Sequence, residues 1–262
     1  MVPGPGAGVV SGRKPTGAGL PAPKHRPKGI TLLYEDGDIL VVDKPCGLLT
    51  MGTERDKSRT VHSILNDYVR KGNPKSRNRV YIVHRLDRDT SGILLFAKSE
   101  PAKLALQGNW DDTSKLYLAV VFGHVSPPRG TISSYLAENA AFAVYSTSEP
   151  GQGKLSHTAY TLVKERNGLS LLQVHLLTGR KHQIRVHFAE QGHPLVGDRK
   201  YAQDRPAHAH LALHAWSLSF THPVNHTRLH FETPIPQRFS QLVGPFVPPG
   251  LLTATIEPYH TL

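Results

Sequence analysis

The chain has 262 residues, 39% of them apolar, enough for one large domain or two small ones around a real core. Its formal charge of +11 and pI of about 9.8 suit a polyanionic partner such as RNA or DNA, because basic side chains gain affinity by displacing counterions from phosphates, although basic proteins without one are common. No run approaches the roughly 18 apolar residues of a membrane helix, no apolar block marks a secretory signal, and Cys46, as the one cysteine, excludes an intrachain disulfide and a thiolate metal cage.

Residues 1–29 hold six prolines, seven glycines and five Lys or Arg with no acid, so they form neither a core nor a sustained helix. They read as a disordered basic tail that either adds weak, salt-sensitive RNA affinity or adds nothing. The same prolines and glycines oppose the amphipathic helix of a mitochondrial presequence, and a cytoplasmic location is expected. From Ile30 onward the chain is mixed α and β without internal repeats or a clear domain boundary. Ile39-Leu40-Val41-Val42 predicts a buried strand ending in Asp43-Lys44-Pro45. Apolar residues at Val61, Ile64, Leu65, Tyr68 and Val69 have helical spacing over Thr60–Arg70, and a basic loop with Lys71, Lys75, Arg77 and Arg79 follows.

Two apolar runs, Tyr81-Ile82-Val83 and Ile93–Ala97, then flank His84-Arg85-Leu86-Asp87-Arg88-Asp89-Thr90-Ser91-Gly92. A second helix starts at Ser99, and Leu116–Phe122 reads as a strand. Asn167-Gly168 between Ala159–Glu165 and Leu169–His175 predicts a tight hairpin. Thr178-Gly179 is expected to open a helix from about Arg180 to Gln191, closed by Gly192. Leu213–Phe220 and Arg228–Phe231 predict a last hairpin around Val224-Asn225-His226. Antiparallel hairpins with interspersed helices indicate an α+β fold rather than a doubly wound one.

The stretch His84–Gly92 carries the most chemical information. Two buried strands are expected to hold it as a loop, Gly92 permits a sharp turn, and Asp87 beside an arginine is aimed into a cleft. Taken alone, Asp87 reads first as an ordinary turn cap. Cys46 is read as a small buried hydrophobe.

Several blocks in the same order resemble the RluA-like pseudouridine synthases. They are Ile39–Leu48 with its Lys-Pro-x-Gly turn, His84–Gly92, Lys115-Leu116-Tyr117-Leu118-Ala119, Leu177–His187 with Gln183-Ile184-Arg185, Gly192–Asp198, and Leu213-His214-Ala215. Together they span roughly residues 30–239. The resemblance implies the pseudouridine synthase fold, a mixed and largely antiparallel sheet flanked by helices, with residues 30–262 as catalytic domain. It implies a cofactor-free isomerase of uridine in tRNA or rRNA, with no metal and no membrane partner. The tail is too short and glycine-rich for the S4-type domain many relatives carry, so the chain resembles the stand-alone members, which act on compact stem-loops. Nothing in the sequence argues for more than a monomer.

The resemblance also implies site roles. Asp87 is the nucleophile, because cleavage of a glycosidic bond develops cationic character that a carboxylate stabilises or traps. Attack on the sugar and removal of a sugar proton to give a glycal both remain open. Arg185 pairs with Asp87, an arrangement that favours a charged carboxylate in an enclosed site; on its own it is a helix residue whose stem covers apolar surface. Tyr117 stacks on the flipped uracil, against the alternative of a core tyrosine. Arg85 enters the space left by the extruded nucleotide, or pairs with a phosphate or Asp89. Arg180 and Lys181, placed at the start of the predicted helix, meet RNA phosphate or remain solvated.

Other chemistries find less support. The histidines at 208, 210, 214, 222, 226 and 230 include no His-Glu-x-x-His, and no carboxylate stands at ligand-like spacing from them. Gly-x-Ser-x-Gly and phosphate-cradling glycine loops are absent. A non-catalytic RNA-binding protein or RNA chaperone on the same fold would lack the nucleophile, tyrosine or arginine, and this chain keeps Asp87, Tyr117 and Arg185. A glycosidase-like use of Asp87 needs a second acid, for which Asp89 in the same loop has no evident role.

Overall fold

The computed structural model describes residues 26–52, 59–73 and 75–247. Most of the expected tail, residues 1–25, lies outside the described residues, as do residues 248–262. Where the tail is described it is anchored: Pro27 is buried, and the Lys28 carbonyl accepts a hydrogen bond from Arg59 at 2.7 Å. The folded body therefore begins slightly before Ile30.

Among the described residues eleven strands form one sheet: β1 (Thr31–Glu35), β2 (Ile39–Lys44), β3 (Tyr81–Ile82), β4 (Ser91–Ala97), β5 (Ser114–Phe122), β6 (Arg129–Glu138), β7 (Val144–Thr147), β8 (Lys154–Arg166), β9 (Leu169–Leu176), β10 (Leu213–Thr221) and β11 (Arg228–Glu232). The order across it is β1-β2-β4-β10-β5-β9-β8-β6-β7, with β3 beside β4 and β11 beside β10. Among the described strands the pairing is antiparallel except between β4 and β10, where Ser91 and Gly92 face His214 and Ala215. Among the described residues four α-helices, α1 (Val61–Arg70), α2 (Glu100–Gly108), α3 (Gln183–Glu190) and α4 (Arg238–Val243), flank the sheet. This is the mixed, largely antiparallel α+β architecture the sequence indicates. No helix among the described residues is long and apolar enough to cross a membrane.

The core follows the two periodicities of the chain. On α1 the buried positions are Val61, Ile64, Leu65 and Val69, one face of a helix, and Thr60 and Ser63 close a capping box at its start. On β5, Leu116, Leu118, Val120 and Phe122 pack with Phe239 and Val243 of α4, whereas Tyr117, Ala119 and Val121 join the cluster that includes Ile184 and Phe188 of α3. That alternation delivers Tyr117 to the layer that also carries Arg185. Asn167 and Gly168 both adopt positive φ, 53° and 71°, as the tight turn joining β8 to β9 requires.

The helix expected from Arg180 starts three residues later, at Gln183. Gln183 Oε1 accepts from the Arg180 amide at 3.0 Å and from the Thr178 hydroxyl at 2.9 Å, so the intervening residues form a side-chain-tied turn in which His182 has φ 55°. Strands β1, β6 and β7 and helix α4 have no counterpart in the sequence reading. In β6, exposed and half-buried polar residues replace an apolar alternation.

Candidate active site

The segment between β3 and β4 is pinned from several directions. Burial, and then the charge of Lys115, push the His84 imidazole down to about 3, leaving Nε2 free to accept the Leu95 amide at 3.1 Å. Thr50 Oγ1 donates to the Leu86 carbonyl at 2.8 Å and accepts from the Leu86 amide at 3.2 Å. Lys44, fully buried, donates to the carbonyls of Leu48 at 2.7 Å, Arg88 at 2.9 Å and Pro45 at 3.0 Å. Its ammonium is pushed down to about 8 by burial, with Cys46 and the carboxylates of Asp89, Asp87 and Asp43 pulling the other way. The Lys-Pro-x-Gly turn thereby clamps the residue next to Asp87, and the Gly47 amide adds a hydrogen bond to the Arg88 carbonyl at 2.9 Å.

Cys46 is half-buried rather than a fully buried hydrophobe, and its thiol donates to the Asp89 carbonyl at 3.0 Å. Burial pushes that thiol up, which keeps its proton available for donation.

Asp87, with its side chain about a quarter exposed at 26%, accepts from Arg185 Nη1 at 3.0 Å. The remaining edge of the guanidinium is forked onto Asp198, Nε to Oδ2 at 2.7 Å and Nη2 to Oδ1 at 2.8 Å. Asp198 is buried and also accepts the amides of Lys200 and Tyr201 at 2.9 and 3.1 Å. Burial alone would raise the Asp198 carboxyl, but hydrogen bonds and charge from Arg185, with those two amides, hold it below the usual carboxylate range. For Arg185, burial opposes the charge, and Asp198 followed by Asp87 push its pKa above the ordinary value. The guanidinium lies over the Tyr201 ring, 5.1 Å from its centre.

A cleft of about 970 Å³ opens above this pair and is lined by Asp87, Tyr117 and Arg185 together with Arg85, Arg180 and Lys181. The structure thus gathers all six sequence-predicted site residues. Tyr117 is only 7% exposed; burial first and the Asp87 charge second push its phenol up, so it meets a ligand as a neutral ring. Arg85 is exposed and reaches the Met51 sulfur at 3.8 Å. Arg180 is also exposed, whereas Lys181 is paired with Glu138 and donates to the Phe142 carbonyl at 3.3 Å.

Three residues of this site went unassigned in the sequence although they stand inside the motif blocks: Lys44, His182 and Asp198. His182 Nε2 is 3.8 Å from Asp87 Oδ2, and its Nδ1 meets the Tyr201 hydroxyl at 2.8 Å. Burial outweighs the attraction of Asp87 and lowers its pKa, so Arg185 is the cation of the pair. The histidine-rich segment has no carboxylate at ligand-like spacing from His222 in sequence, yet the fold brings the His222 Nε2 to 3.0 Å from Asp36 Oδ2, with Asp38 close by. Asp36 is already engaged there by the Tyr34 hydroxyl and the amides of Asp38 and Ile39, each at 2.8 Å.

Asp198 reaches Asp87 only through Arg185. Asp198→Asn should lower kcat about 10- to 100-fold with a smaller change in KM, because one leg of the fork loses its charge and misplacement near 1 Å is costly. Steady-state kinetics of the variant against wild type checks this, and an unchanged kcat would show that Arg185 is positioned without it.

The site thus combines a positioned carboxylate, an arginine fixed from behind, a neutral aromatic ring and a basic rim on a mixed sheet. A family model described as RNA pseudouridylate synthase matches residues 38–190, more than half of the chain. The ribosomal large subunit pseudouridine synthase D of Zymomonas mobilis is 35% identical over 238 residues, covering 83% of this chain and 74% of that protein. An uncharacterized RNA pseudouridine synthase of Bacillus subtilis, YjbO, is 34% identical over 221 residues, covering 83% and 76%. Among solved structures, human RNA pseudouridylate synthase domain containing 1 superposes with a TM-score of 0.63 at 26% identity over 85% of this chain and 89% of that one. Human RNA pseudouridylate synthase domain containing 4 shares the fold, with a TM-score of 0.67 at 20% identity over 80% and 90%. The chain belongs to the RluA-like family of RNA pseudouridine synthases and is an enzyme that isomerises uridine in RNA.

Proposed function

We propose that Asp87 is the nucleophile of this isomerase and that its substrate is a uridine in a compact stem-loop of large-subunit rRNA. The observation that carries the first part is the chain of contacts from Asp87 through Arg185 to the buried Asp198, which fixes one carboxylate at the floor of a cleft beside Tyr117. In the reaction the N1–C1′ bond breaks, the base turns, and a C5–C1′ bond forms. The C5 hydrogen leaves as a proton and N1 gains one, so the product is an isomer and no cofactor is consumed. Asp87 acts at the sugar, Tyr117 holds the detached base by stacking, and Arg185 orients the carboxylate. Arg85 at the rim is suited to the space vacated by the flipped nucleotide, and Arg180 to backbone phosphate.

The name of the Zymomonas mobilis relative supports rRNA as substrate. A monomeric, cytoplasmic enzyme whose catalytic domain runs from residue 30 to 262 completes the reading. The test is to incubate the protein with unmodified rRNA and tRNA and map pseudouridine by carbodiimide labelling and reverse-transcription stops. New stops in large-subunit rRNA are expected; stops confined to tRNA would overturn the substrate assignment.

A further inference from the structure

We propose that Lys115 and Trp110 form an anion subsite at one end of the active-site cleft, which takes the phosphodiester of a nucleotide flanking the target uridine; this rests on the reading of Asp87 as the catalytic centre. Lys115 is only 6% exposed and lines the cleft. Among the described residues, no acceptor lies within hydrogen-bonding distance of its ammonium and no carboxylate within ion-pair distance. Its contact is the face of Trp110, with Nζ 5.5 Å from the ring centre. A desolvated ammonium is costly unless it is paired, so an unpaired one facing a cleft is poised for an anion that arrives with the ligand.

The surroundings keep that charge undiluted. Asp111 is the carboxylate whose charge reaches Lys115, but its side chain is exposed; burial lowers the Lys115 pKa and Asp111 opposes it. His84 and His175 feel Lys115 too, and burial followed by its charge holds both imidazoles low. Trp110 is a firm wall, packed against the His84 ring at 4.8 Å between centres. The anions of an RNA are its phosphodiesters, whereas uracil offers neutral carbonyls. Lys115 precedes Tyr117 by two residues on β5, a Cα separation of roughly 7 Å. A base on Tyr117 therefore places an adjacent linkage near Lys115, and a cleft of about 970 Å³ is larger than one uridine requires.

The experiment follows tritium release from an unmodified large-subunit rRNA transcript labelled at uridine C5. Lys115→Met keeps the apolar stem against Trp110 and removes the charge. It should raise KM about tenfold with kcat within about twofold, and should make the slope of log KM against log salt shallower by about 1. Lys115→Arg should restore most of both. A KM and salt slope equal to wild type, or a fall in kcat alone, would overturn the assignment. A second arm needs only the folded wild type: a synthetic hairpin carrying the mapped uridine, with flanking linkages replaced singly by neutral methylphosphonate. One linkage should cost about tenfold in KM, and indifference at every flanking linkage would also overturn the proposal. Tritium release absent in the wild type itself would instead remove the underlying reading of large-subunit rRNA as the substrate, and tritium release retained by Asp87→Asn would remove the reading of Asp87 as the catalytic centre.

Discussion

Asp87→Asn should lower turnover at least about 10⁴-fold while RNA affinity stays within about threefold of wild type. The amide is nearly isosteric and its oxygen still accepts from Arg185 Nη1, so the 3.0 Å contact and the loop around it have no reason to move. What is lost is the negative charge that, on the proposed reading, stabilises or traps the anomeric carbon as N1 departs. On the same reading binding is spared, because phosphate recognition falls to other residues of the rim, such as Arg180, and to the overall charge of +11. Tritium release from C5-labelled rRNA measures turnover, and filter binding at fixed salt measures affinity. Activity within tenfold of wild type would remove Asp87 from the chemistry, and parallel loss of binding and activity would mean the loop had collapsed.

The parts of this site legible in the sequence share one property, that a short segment carries both the residue and its setting. Asp87 sits between two apolar runs that become β3 and β4, Tyr117 is in an alternating strand, and Arg185 lies on a helix with buried neighbours. Apart from the Asp87–Arg185 pair, which the family resemblance implies, contacts formed by distant segments were not legible. Asp198 reads as one more acid in a glycine-rich block until the fold brings it to Arg185, and His222 has no carboxylate nearby in sequence yet meets Asp36, 186 positions away. The start of α3 was misplaced because a glutamine side chain, rather than a serine or threonine cap, closes the preceding turn. Strand β6 escaped because its apolar pattern is replaced by exposed polar side chains.

Gly92 shows how a residue can be recognised for an incomplete reason. Read as the hinge of a sharp turn, it lies instead within β4, opposite Ala215 in the sheet's one described parallel pairing. Its φ is +116°, and a Cβ there would stand 2.2 Å from the Ala215 carbonyl oxygen and 2.7 Å from its carbonyl carbon and amide nitrogen. Every clashing atom is main chain, so no rotamer change relieves the contact, and a left-handed φ adds strain for any L side chain. Gly92→Ala should therefore cost about 4 kcal/mol or more, lowering Tm by roughly 10 °C for a domain of this size. Gly37→Ala, at a site with open space around the added carbon, is the control and should leave Tm nearly unchanged. Calorimetry of the two variants decides the matter, and a Gly92→Ala Tm within about 2 °C of wild type would mean that β4 and β10 part without penalty. Displacement should also reach the active site, because the adjacent Ser91 hydroxyl is held by His214 and Arg238 at 2.9 Å each and the chain returns from there to Asp87 through one hydrogen-bonded turn. Any Gly92→Ala protein that still folds should consequently lose turnover more than RNA affinity, since the strand it disturbs leads directly into the turn that carries Asp87.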